Sequence, residues 1–327
     1  MRKRLANPRI IVLAGILLAG LVALFLAGPR VEVDTTLDPV DLPEDLDRYL
    51  ALSEAQFSDI VPNTEKQIVW ANAAHEKTPL SVIYLHGFSA TRQETAPLAD
   101  IVAAELGANL FYTRLAGHGR TGEAMAEATV NDWLNDANEA LEIGRQLGGE
   151  IVIVGTSTGG TLAAWLATQP GVDDVLAIVL LSPNFGPKDA SAELLAWPWG
   201  ETIAKLVIGP EYCWEPINDR QALYWTEAHP TKGLLPMMGL VKLVQKSDLG
   251  AITRPVLVIY SPKDQVIDTE KVEQAFEQFG SPTKQITPIY EADYEEMHVL
   301  AGDIVSPSTT ESIAQIILDF IASIGDN

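Results

Sequence analysis

This 327-residue sequence has very little cysteine, and few positive charges relative to its negative ones. Its single cysteine, Cys213, has no partner for an internal disulfide, so a disulfide-stapled fold is excluded. Only 22 Lys and Arg side chains stand against 44 Asp and Glu, which gives a net charge of −22. An acidic body repels phosphate backbones, which argues against nucleic acid as a partner. The apolar fraction of 47% is typical of a folded chain rather than a disordered one.

The few positive charges are unevenly distributed. Residues 1–30 contain five of them and no acidic side chain, so residues 31–327 carry a net charge of −27. Within the basic segment, an uncharged apolar run extends from Ile10 to Gly28. As a helix this run would be about 28 Å long, close to the hydrocarbon thickness of a bilayer. We therefore predict a transmembrane signal anchor over residues 1–30, with the membrane as a partner through this helix.

The orientation of the anchor follows from the basic residues that precede it, Arg2, Lys3, Arg4 and Arg9. They predict a cytoplasmic N-terminus and a periplasmic or extracellular body. A cleaved signal peptide, which would leave a secreted protein, is the alternative for the same segment. We favour a retained anchor because the run is long for a signal peptide and no clean Ala-x-Ala site precedes Pro29. Residues 31–66, acidic and interrupted by prolines, indicate a linker and lead-in with a short helix near 43–55.

From residue 67 onward, short β-rich runs alternate with longer helical patterns. The candidate strands are Gln67–Trp70, Ser81–Leu85, Asn109–Thr113, Ile151–Val154, Leu176–Leu181, Val256–Tyr260 and Gln285–Tyr290, and the candidate helices are 93–106, 131–147, 158–169, 268–279 and 309–324. Runs such as Ile151–Val154 are apolar on both faces, as in parallel strands covered by helices on each side. The alternation predicts an α/β fold with a mostly parallel central sheet, formed by residues 67–183 and 251–327.

Residues 184–250 interrupt this alternation between two strands. They contain four of the seven tryptophans and six prolines, and with Pro183 just before them these prolines divide the region into short pieces. A long insertion in a sheet protein indicates a lid or small accessory domain, so we predict a cap here. Its aromatic residues would line an apolar acyl pocket, although packing within the cap explains them equally well.

A candidate nucleophile follows the strand Ile151–Val154, in the motif Gly155-Thr156-Ser157-Thr158-Gly159. A serine on a sharp strand-to-helix turn projects its hydroxyl above the sheet, and Gly155 and Gly159 remove side chains that would clash there. The helix that begins after Ser157 adds backbone N–H groups and a dipole that favours a developing oxyanion. An ordinary glycine-rich turn is the alternative interpretation.

The serine needs a base and an orienting acid. Of the five histidines, His298 follows the last candidate strand, from which it can reach the nucleophile. Asp264 follows Val256–Tyr260, which gives the chain order Ser, Asp, His expected of an α/β-hydrolase. Asp268 is the competing acid, but it begins a helix and is better explained as an N-cap.

The second oxyanion donor is expected in the turn after the first central strand, which reads His86-Gly87-Phe88-Ser89-Ala90. Gly87 allows a close backbone turn, and the N–H of Phe88 can point at the oxyanion beside that of Thr158. His86 is interpreted as a structural hydrogen-bonding residue, and His118 as a loop-shaping one.

Together these residues resemble the α/β-hydrolase superfamily, specifically its carboxylesterase and monoacylglycerol-lipase branch. The resemblance extends from about residue 80 to the C-terminus and includes His86-Gly87-Phe88, Arg114-Leu115-Ala116-Gly117-His118-Gly119, Asp132-Trp133, Gly155-Thr156-Ser157-Thr158-Gly159-Gly160, Lys263-Asp264-Gln265-Val266, and His298 with Asp303. It implies that Ser157 is the nucleophile, Asp264 the acid, His298 the base, and Phe88 and Thr158 the oxyanion donors. Ala90 and Thr158 depart from residues common in relatives, but neither change removes a backbone N–H.

The resulting prediction is a serine hydrolase of short- to medium-chain or monoacylglycerol-like esters that needs no metal and no organic cofactor. Thioesterase, C–C hydrolase, peptidase, haloperoxidase and acyltransferase activities use the same serine triad and stay open. A membrane-tethered binding module without catalysis is a further alternative, and the sequence leaves the oligomeric state and the physiological substrate open.

Overall fold

A computed structural model describes residues 8–325. Its helices are α1 Pro8–Leu26, α2 Leu46–Glu54, α3 Leu98–Leu106, α4 Gly122–Met125, α5 Val130–Leu147, α6 Thr158–Ala167, α7 Gly200–Ile208, α8 Asp219–Tyr224, α9 Leu234–Lys246, α10 Thr269–Gln278 and α11 Thr310–Gly325. Its strands are β1 Gln67–Val69, β2 Thr78–Leu85, β3 Asn109–Tyr112, β4 Gly148–Thr156, β5 Val175–Leu181, β6 Glu211–Cys213, β7 Ala228–Pro230, β8 Val256–Tyr260 and β9 Lys284–Pro288.

The central sheet of the described chain has the strand order β1-β3-β2-β4-β5-β8-β9. β1 runs antiparallel to β3, and the other neighbouring strands are parallel. The order reverses between β2 and β4, because β3 lies on one side of β2 while β5, β8 and β9 lie beyond β4. Open α/β sheets bind ligands at the carboxyl ends of the strands that flank such a reversal.

Helices cover both faces of this sheet. In β2, Ile83 and Leu85 pack into one apolar cluster with α5, α6 and α9, whereas Val82 and Tyr84 pack into another with α3 and α11. Successive side chains of a strand point to opposite faces, so this division places one core on each side of the sheet. The predicted α/β-hydrolase fold with a mostly parallel sheet is confirmed.

The predicted elements differ from the observed ones mainly at their ends. The helix predicted from residue 93 begins at Leu98, after Pro97, and residues 92–94 form a separate 3₁₀ turn. The small antiparallel sheet of β6 and β7 was not predicted, because its strands have only three residues each and lie among prolines.

The inserted segment, residues 184–250, contains α7, α8, α9 and the β6–β7 sheet. Met238, Leu240 and Val241 of α9 are buried in the same core as α5 and α6, which fixes the segment to the sheet domain. Elsewhere in the segment, the N–H of Thr226 donates to the C=O of Ser89 at 2.7 Å. The segment therefore borders the loop after β2.

The N-terminal helix α1 ends at Leu26, before the end of the predicted membrane span. Among residues 8–325, no helix combines the length and the apolar character needed to cross a membrane. The predicted transmembrane helix is therefore not supported. After the end of the helix, Gly28 packs on Trp199, whose indole N–H donates to the C=O of Phe25 at 3.1 Å. Of the four basic residues that predict the orientation, Arg2, Lys3 and Arg4 lie outside the described residues.

Candidate active site

Ser157 lies in the sharp turn between β4 and α6. Its φ of 51° and ψ of −114° are rarely adopted by a residue with a side chain. Three backbone hydrogen bonds hold this conformation: its N–H donates to Leu181 at 2.8 Å, and its C=O accepts from Thr161 at 3.0 Å and Asn184 at 3.1 Å. Ser157 is thus held at the carboxyl end of a central strand, with only 8% of the residue exposed.

The two glycines of the motif allow backbone segments to approach closely. A Cβ on Gly155 would lie 2.4 Å from the carbonyl oxygen of Gly159, and a Cβ on Gly159 would lie 1.9 Å from that of Leu85. Both separations are far below van der Waals contact. Any side chain at either position would therefore displace the turn that carries Ser157.

The structure brings His298 and Asp264 to Ser157. His298 Nε2 lies 2.9 Å from Ser157 Oγ, and His298 Nδ1 lies 2.7 Å from Asp264 Oδ2. The other carboxylate oxygen of Asp264 accepts the N–H groups of Val266 at 2.7 Å and Ile267 at 3.0 Å. Asp264 is 1% exposed and is held on both sides, so its orientation toward His298 is fixed.

The competing aspartate, Asp268, is placed elsewhere. It is the N-cap of α10, and its side chain accepts the N–H of Glu270 at 3.1 Å. This is the position expected of an aspartate that satisfies the first N–H groups of a helix.

The protonation of His298 follows from its partners. Its Nδ1 donates to the Asp264 carboxylate, which leaves Nε2 to accept the hydroxyl proton of Ser157. Burial opposes a charged imidazolium, but the charge and hydrogen bond of Asp264 outweigh it, so the pKa of His298 lies above its ordinary value of 6.5. The backbone C=O of His298 also accepts the Ser182 hydroxyl at 2.7 Å. The ring is therefore held and is a stronger base than a free imidazole.

Two backbone N–H groups flank the serine. That of Thr158 is the first of α6 and has no partner within the helix. Phe88 follows Gly87, at which a Cβ would lie 3.2 Å from Ser157 Cβ, so the loop after β2 approaches Ser157 closely. This arrangement suits attack of a serine on a carbonyl whose oxygen becomes negative. No group of three or more metal-ligating side chains suited to an ion occurs among residues 8–325.

The side chain of Phe88 packs against a histidine cluster, which consists of His86, His118 and His229. Its ring centre lies 5.9 Å from that of His118 and 5.5 Å from that of His229. Each of the three histidines bonds a nearby backbone C=O through Nδ1 at 2.9 to 3.1 Å. Burial lowers the pKa of all three, that of His86 to about 4, so the cluster is neutral at pH 7. His86 and His118 therefore shape the loops around Phe88.

Glu94 is a further carboxyl beside the site, only 2% exposed, that the sequence does not predict. Its Oε1 accepts the N–H of Gly87 at 2.6 Å and the hydroxyl of Tyr84 at 2.8 Å. No motif or spacing marks a glutamate in the polar stretch after a glycine-containing loop. Its burial arises only when β2 and the loop fold over it.

The chain is similar in sequence and in fold to known lipolytic enzymes. The chain is 28% identical to a thermostable monoacylglycerol lipase of Bacillus sp. (strain H-257) over 242 residues, which cover 72% of this chain and 89% of that protein. Among solved structures, the chain superposes with a TM-score of 0.64 on one from a study of the metagenome-derived lipolytic enzymes LipS and LipT. The two chains are 22% identical, and the superposition covers 81% of this chain and 99% of the other. A soluble variant of monoglyceride lipase from Saccharomyces cerevisiae, solved with a substrate analogue, gives 0.59 at 13% identity, covering 80% and 91%.

The Bacillus relative, together with the family match over residues 76–298, confirms the prediction of a hydrolase acting on ester bonds. The family match extends from just before β2 to His298, the candidate base. Residues 76–298 match the Hydrolase_4 family, described as serine aminopeptidase S33. Because the match extends over more than half of the sequence, the chain belongs to this family of α/β-hydrolases.

Proposed function

We propose that the protein is a serine esterase that hydrolyses monoacylglycerol-like or short- to medium-chain carboxylic esters through Ser157, His298 and Asp264. The observation that carries this proposal is the continuous hydrogen-bonded chain from Asp264 through His298 to Ser157, at 2.7 and 2.9 Å. The Bacillus relative is named a monoacylglycerol lipase, which supports an ester of glycerol as substrate.

In the proposed reaction, His298 removes the hydroxyl proton as Ser157 Oγ attacks the ester carbonyl. The N–H groups of Phe88 and Thr158 stabilise the oxyanion of the tetrahedral intermediate, and the charge of Asp264 stabilises the imidazolium. His298 then returns the proton to the leaving alcohol, and an acyl-enzyme forms. Water, activated by the same histidine, hydrolyses the acyl-enzyme and restores the free serine.

We also propose that the inserted segment, residues 184–250, caps this site. Two contacts at the loop after β2 support this role, namely the hydrogen bond from Thr226 to Ser89 and the ring contact of His229 with Phe88. Since Ser157 is almost fully buried, an ester must reach it past this segment. The aromatic residues of the cap would then meet the acyl chain.

The test measures turnover of p-nitrophenyl esters of increasing acyl length and of a 1-monoacylglycerol, together with labelling by a fluorophosphonate. We expect both activities in the wild type and neither in Ser157→Ala. Ser81→Ala is the matched control, because Ser81 is also a buried serine, lies on β2, and donates its hydroxyl to the C=O of Gly144 at 2.8 Å. Absence of labelling in the folded wild type would refute the proposal.

Peptide hydrolysis is the second candidate, because the family is described as a serine aminopeptidase. Aminoacyl p-nitroanilides test it in the same assay. If an anilide is hydrolysed with a higher kcat/KM than any of the esters, the activity of Ser157 is that of a peptidase and not of an esterase.

For location, we propose that the body is exported and that its N-terminal segment attaches it to a membrane surface. Leu13 and Leu17 of α1 are exposed, and Trp197 of the inserted segment, which contacts Phe25, adds exposed apolar area near the end of the helix. Cell fractionation with N-terminal sequencing tests this. A soluble protein whose mature N-terminus lies near residue 30 would instead establish secretion after cleavage.

A further inference from the structure

Glu94 occupies a position at the candidate site that the serine–histidine–aspartate chemistry does not explain. It lies in the 3₁₀ turn between β2 and α3, and its side chain points back under the loop that carries Phe88. A Cβ on Gly87 would lie 2.8 Å from Glu94 Oε2 and 3.2 Å from Ser157 Cβ. The carboxyl and the nucleophile thus face the same small space, which only the absence of a side chain on Gly87 keeps open.

Both peptide planes around Gly87 are fixed by hydrogen bonds. The N–H of Gly87 donates to Glu94 Oε1 at 2.6 Å, and the C=O of Gly87 accepts from His86 Nδ1 at 2.9 Å. That C=O belongs to the same peptide plane as the N–H of Phe88, which points the opposite way. Since glycine has no side chain to restrict φ and ψ, these two bonds determine where the N–H of Phe88 points.

Glu94 is itself held rigidly from the strand side. The hydroxyl of Tyr84 donates to Glu94 Oε1 at 2.8 Å, and that hydroxyl also contacts Thr95 Oγ1 at 2.7 Å and Thr156 Oγ1 at 3.0 Å. Thr156 directly precedes Ser157. A single buried network therefore connects the oxyanion loop to the turn that carries the nucleophile.

From this geometry we infer that Glu94 is a positioning residue of the oxyanion site, which aims the Phe88 N–H by holding Gly87 while in its neutral form. The inference rests on the proposed esterase function. A neutral carboxyl accepts the Gly87 N–H without placing a second negative charge beside the oxyanion, whereas an ionised one would raise the free energy of that intermediate.

The surroundings of Glu94 favour the neutral form at pH 7. Burial raises its pKa to about 8, against the lowering effect of the bonds from Gly87 and Tyr84 and of the charge on His298. Of the described residues, Tyr84 from β2 and His298 from the loop after β9 are the titratable groups whose interactions reach it, and burial keeps the pKa of Tyr84 well above 10. Arg92, on the same turn, lies over the ring of Tyr112.

The test compares kcat, KM and the pH dependence of kcat/KM for the full-length wild type, Glu94→Leu and Glu94→Gln. Leucine removes the acceptor, so we expect kcat to fall about tenfold to a hundredfold at pH 7 while KM changes less than about threefold. Glutamine keeps an acceptor oxygen and stays neutral at every pH, so it should regain most of that loss. The wild-type profile should decline above a pKa of about 8, and the glutamine profile should lack this decline.

Asp100→Asn is the matched control, because Asp100 also accepts a tyrosine hydroxyl, that of Tyr112 at 2.6 Å, but lies on α3 away from Ser157. It should leave the pH profile unchanged. The inference is overturned if Glu94→Leu retains wild-type kcat, or if the wild type and Glu94→Gln share the same alkaline behaviour. Either result with Ser157-dependent turnover intact overturns only the role of Glu94, whereas loss of that turnover in the wild type overturns the esterase itself.

Discussion

Replacing Asp264 by asparagine tests the candidate triad at its most constrained position. The asparagine is almost isosteric, so the fold is retained, but one oxygen acceptor becomes an N–H donor. Its single oxygen can face either the N–H groups of Val266 and Ile267, at 2.7 and 3.0 Å, or the ring of His298. The site is 1% exposed, so water cannot replace a lost partner.

The two backbone donors decide which way the amide turns. Facing them with an NH₂ group leaves two buried N–H groups unsatisfied, at about 1–3 kcal/mol each, so the oxygen stays on the backbone side. The NH₂ group then faces His298 Nδ1, which must become the acceptor. Its proton moves to Nε2, and the ring can no longer take the proton of Ser157.

We therefore expect kcat to fall by about 10⁴-fold in Asp264→Asn, which corresponds to about 5.4 kcal/mol of transition-state stabilisation. The acid limb of the residual activity should move to lower pH, because Asp264 is what raises the pKa of His298 against burial. The assay is p-nitrophenyl ester hydrolysis across pH with fluorophosphonate labelling rates.

The matched control is Asp268→Asn, because asparagine caps a helix as well as aspartate does and α10 keeps its N-cap. Its kcat should stay within about twofold of the wild type. If kcat falls tenfold or less in Asp264→Asn, or falls further in Asp268→Asn than in Asp264→Asn, the reasoning is refuted and Asp264 is not the acid of the triad.

Three further predictions concern stability, measured by urea titration. In Gly159→Ala the new Cβ meets a carbonyl oxygen of β2 at 1.9 Å, and we expect a loss of about 3–5 kcal/mol; an unchanged midpoint would contradict that packing. Glu54 and the buried guanidinium of Arg114 are 2.8 Å apart, so Glu54→Gln leaves Arg114 without a counter-charge and should lower the free energy of unfolding by about 3–5 kcal/mol. Glu201→Gln, at an exposed ion pair with Lys205, should lower it by less than about 1 kcal/mol. The histidine cluster has lowered pKa values, so between pH 6.5 and 4 the unfolded chain takes up protons that the folded one does not. Stability should fall there by up to about 1.4 kcal/mol per pH unit for each histidine of the cluster. His298 does not offset this fall, because its raised pKa leaves it protonated in both the folded and the unfolded chain below about pH 6.5. A pH-independent stability would show that the three rings are not buried as neutral groups.

The sequence predicted the nucleophile turn because local signals are enough there. An apolar run followed by Gly-x-Ser-x-Gly indicates both the strand and the turn, and the glycines correspond to close backbone approaches that are visible in the structure. The distinction between Asp264 and Asp268 was equally local, since an aspartate followed by a helix pattern is predicted to be an N-cap.

Features that depend on tertiary packing were not predictable in this way. The burial of Glu94 requires that β2, the loop and α3 fold around it, and sequence patterns treat a glutamate as a surface residue. The end of α1 is a second example. Hydropathy extends the apolar run to Gly28, but the helix ends at Leu26 and Gly28 packs on Trp199, a contact with a residue distant in sequence.

Trp199 bonds the end of α1 and the segment that follows it, and so connects both to the inserted segment. Its indole N–H bonds the C=O of Phe25, and its backbone N–H bonds that of Pro29 at 2.7 Å. Two residues later, Val31 packs against Gly239 of α9. A pulling force on the N-terminal helix would thus load the inserted segment before it reached the sheet. Such a force would then act first on the segment that we propose caps Ser157.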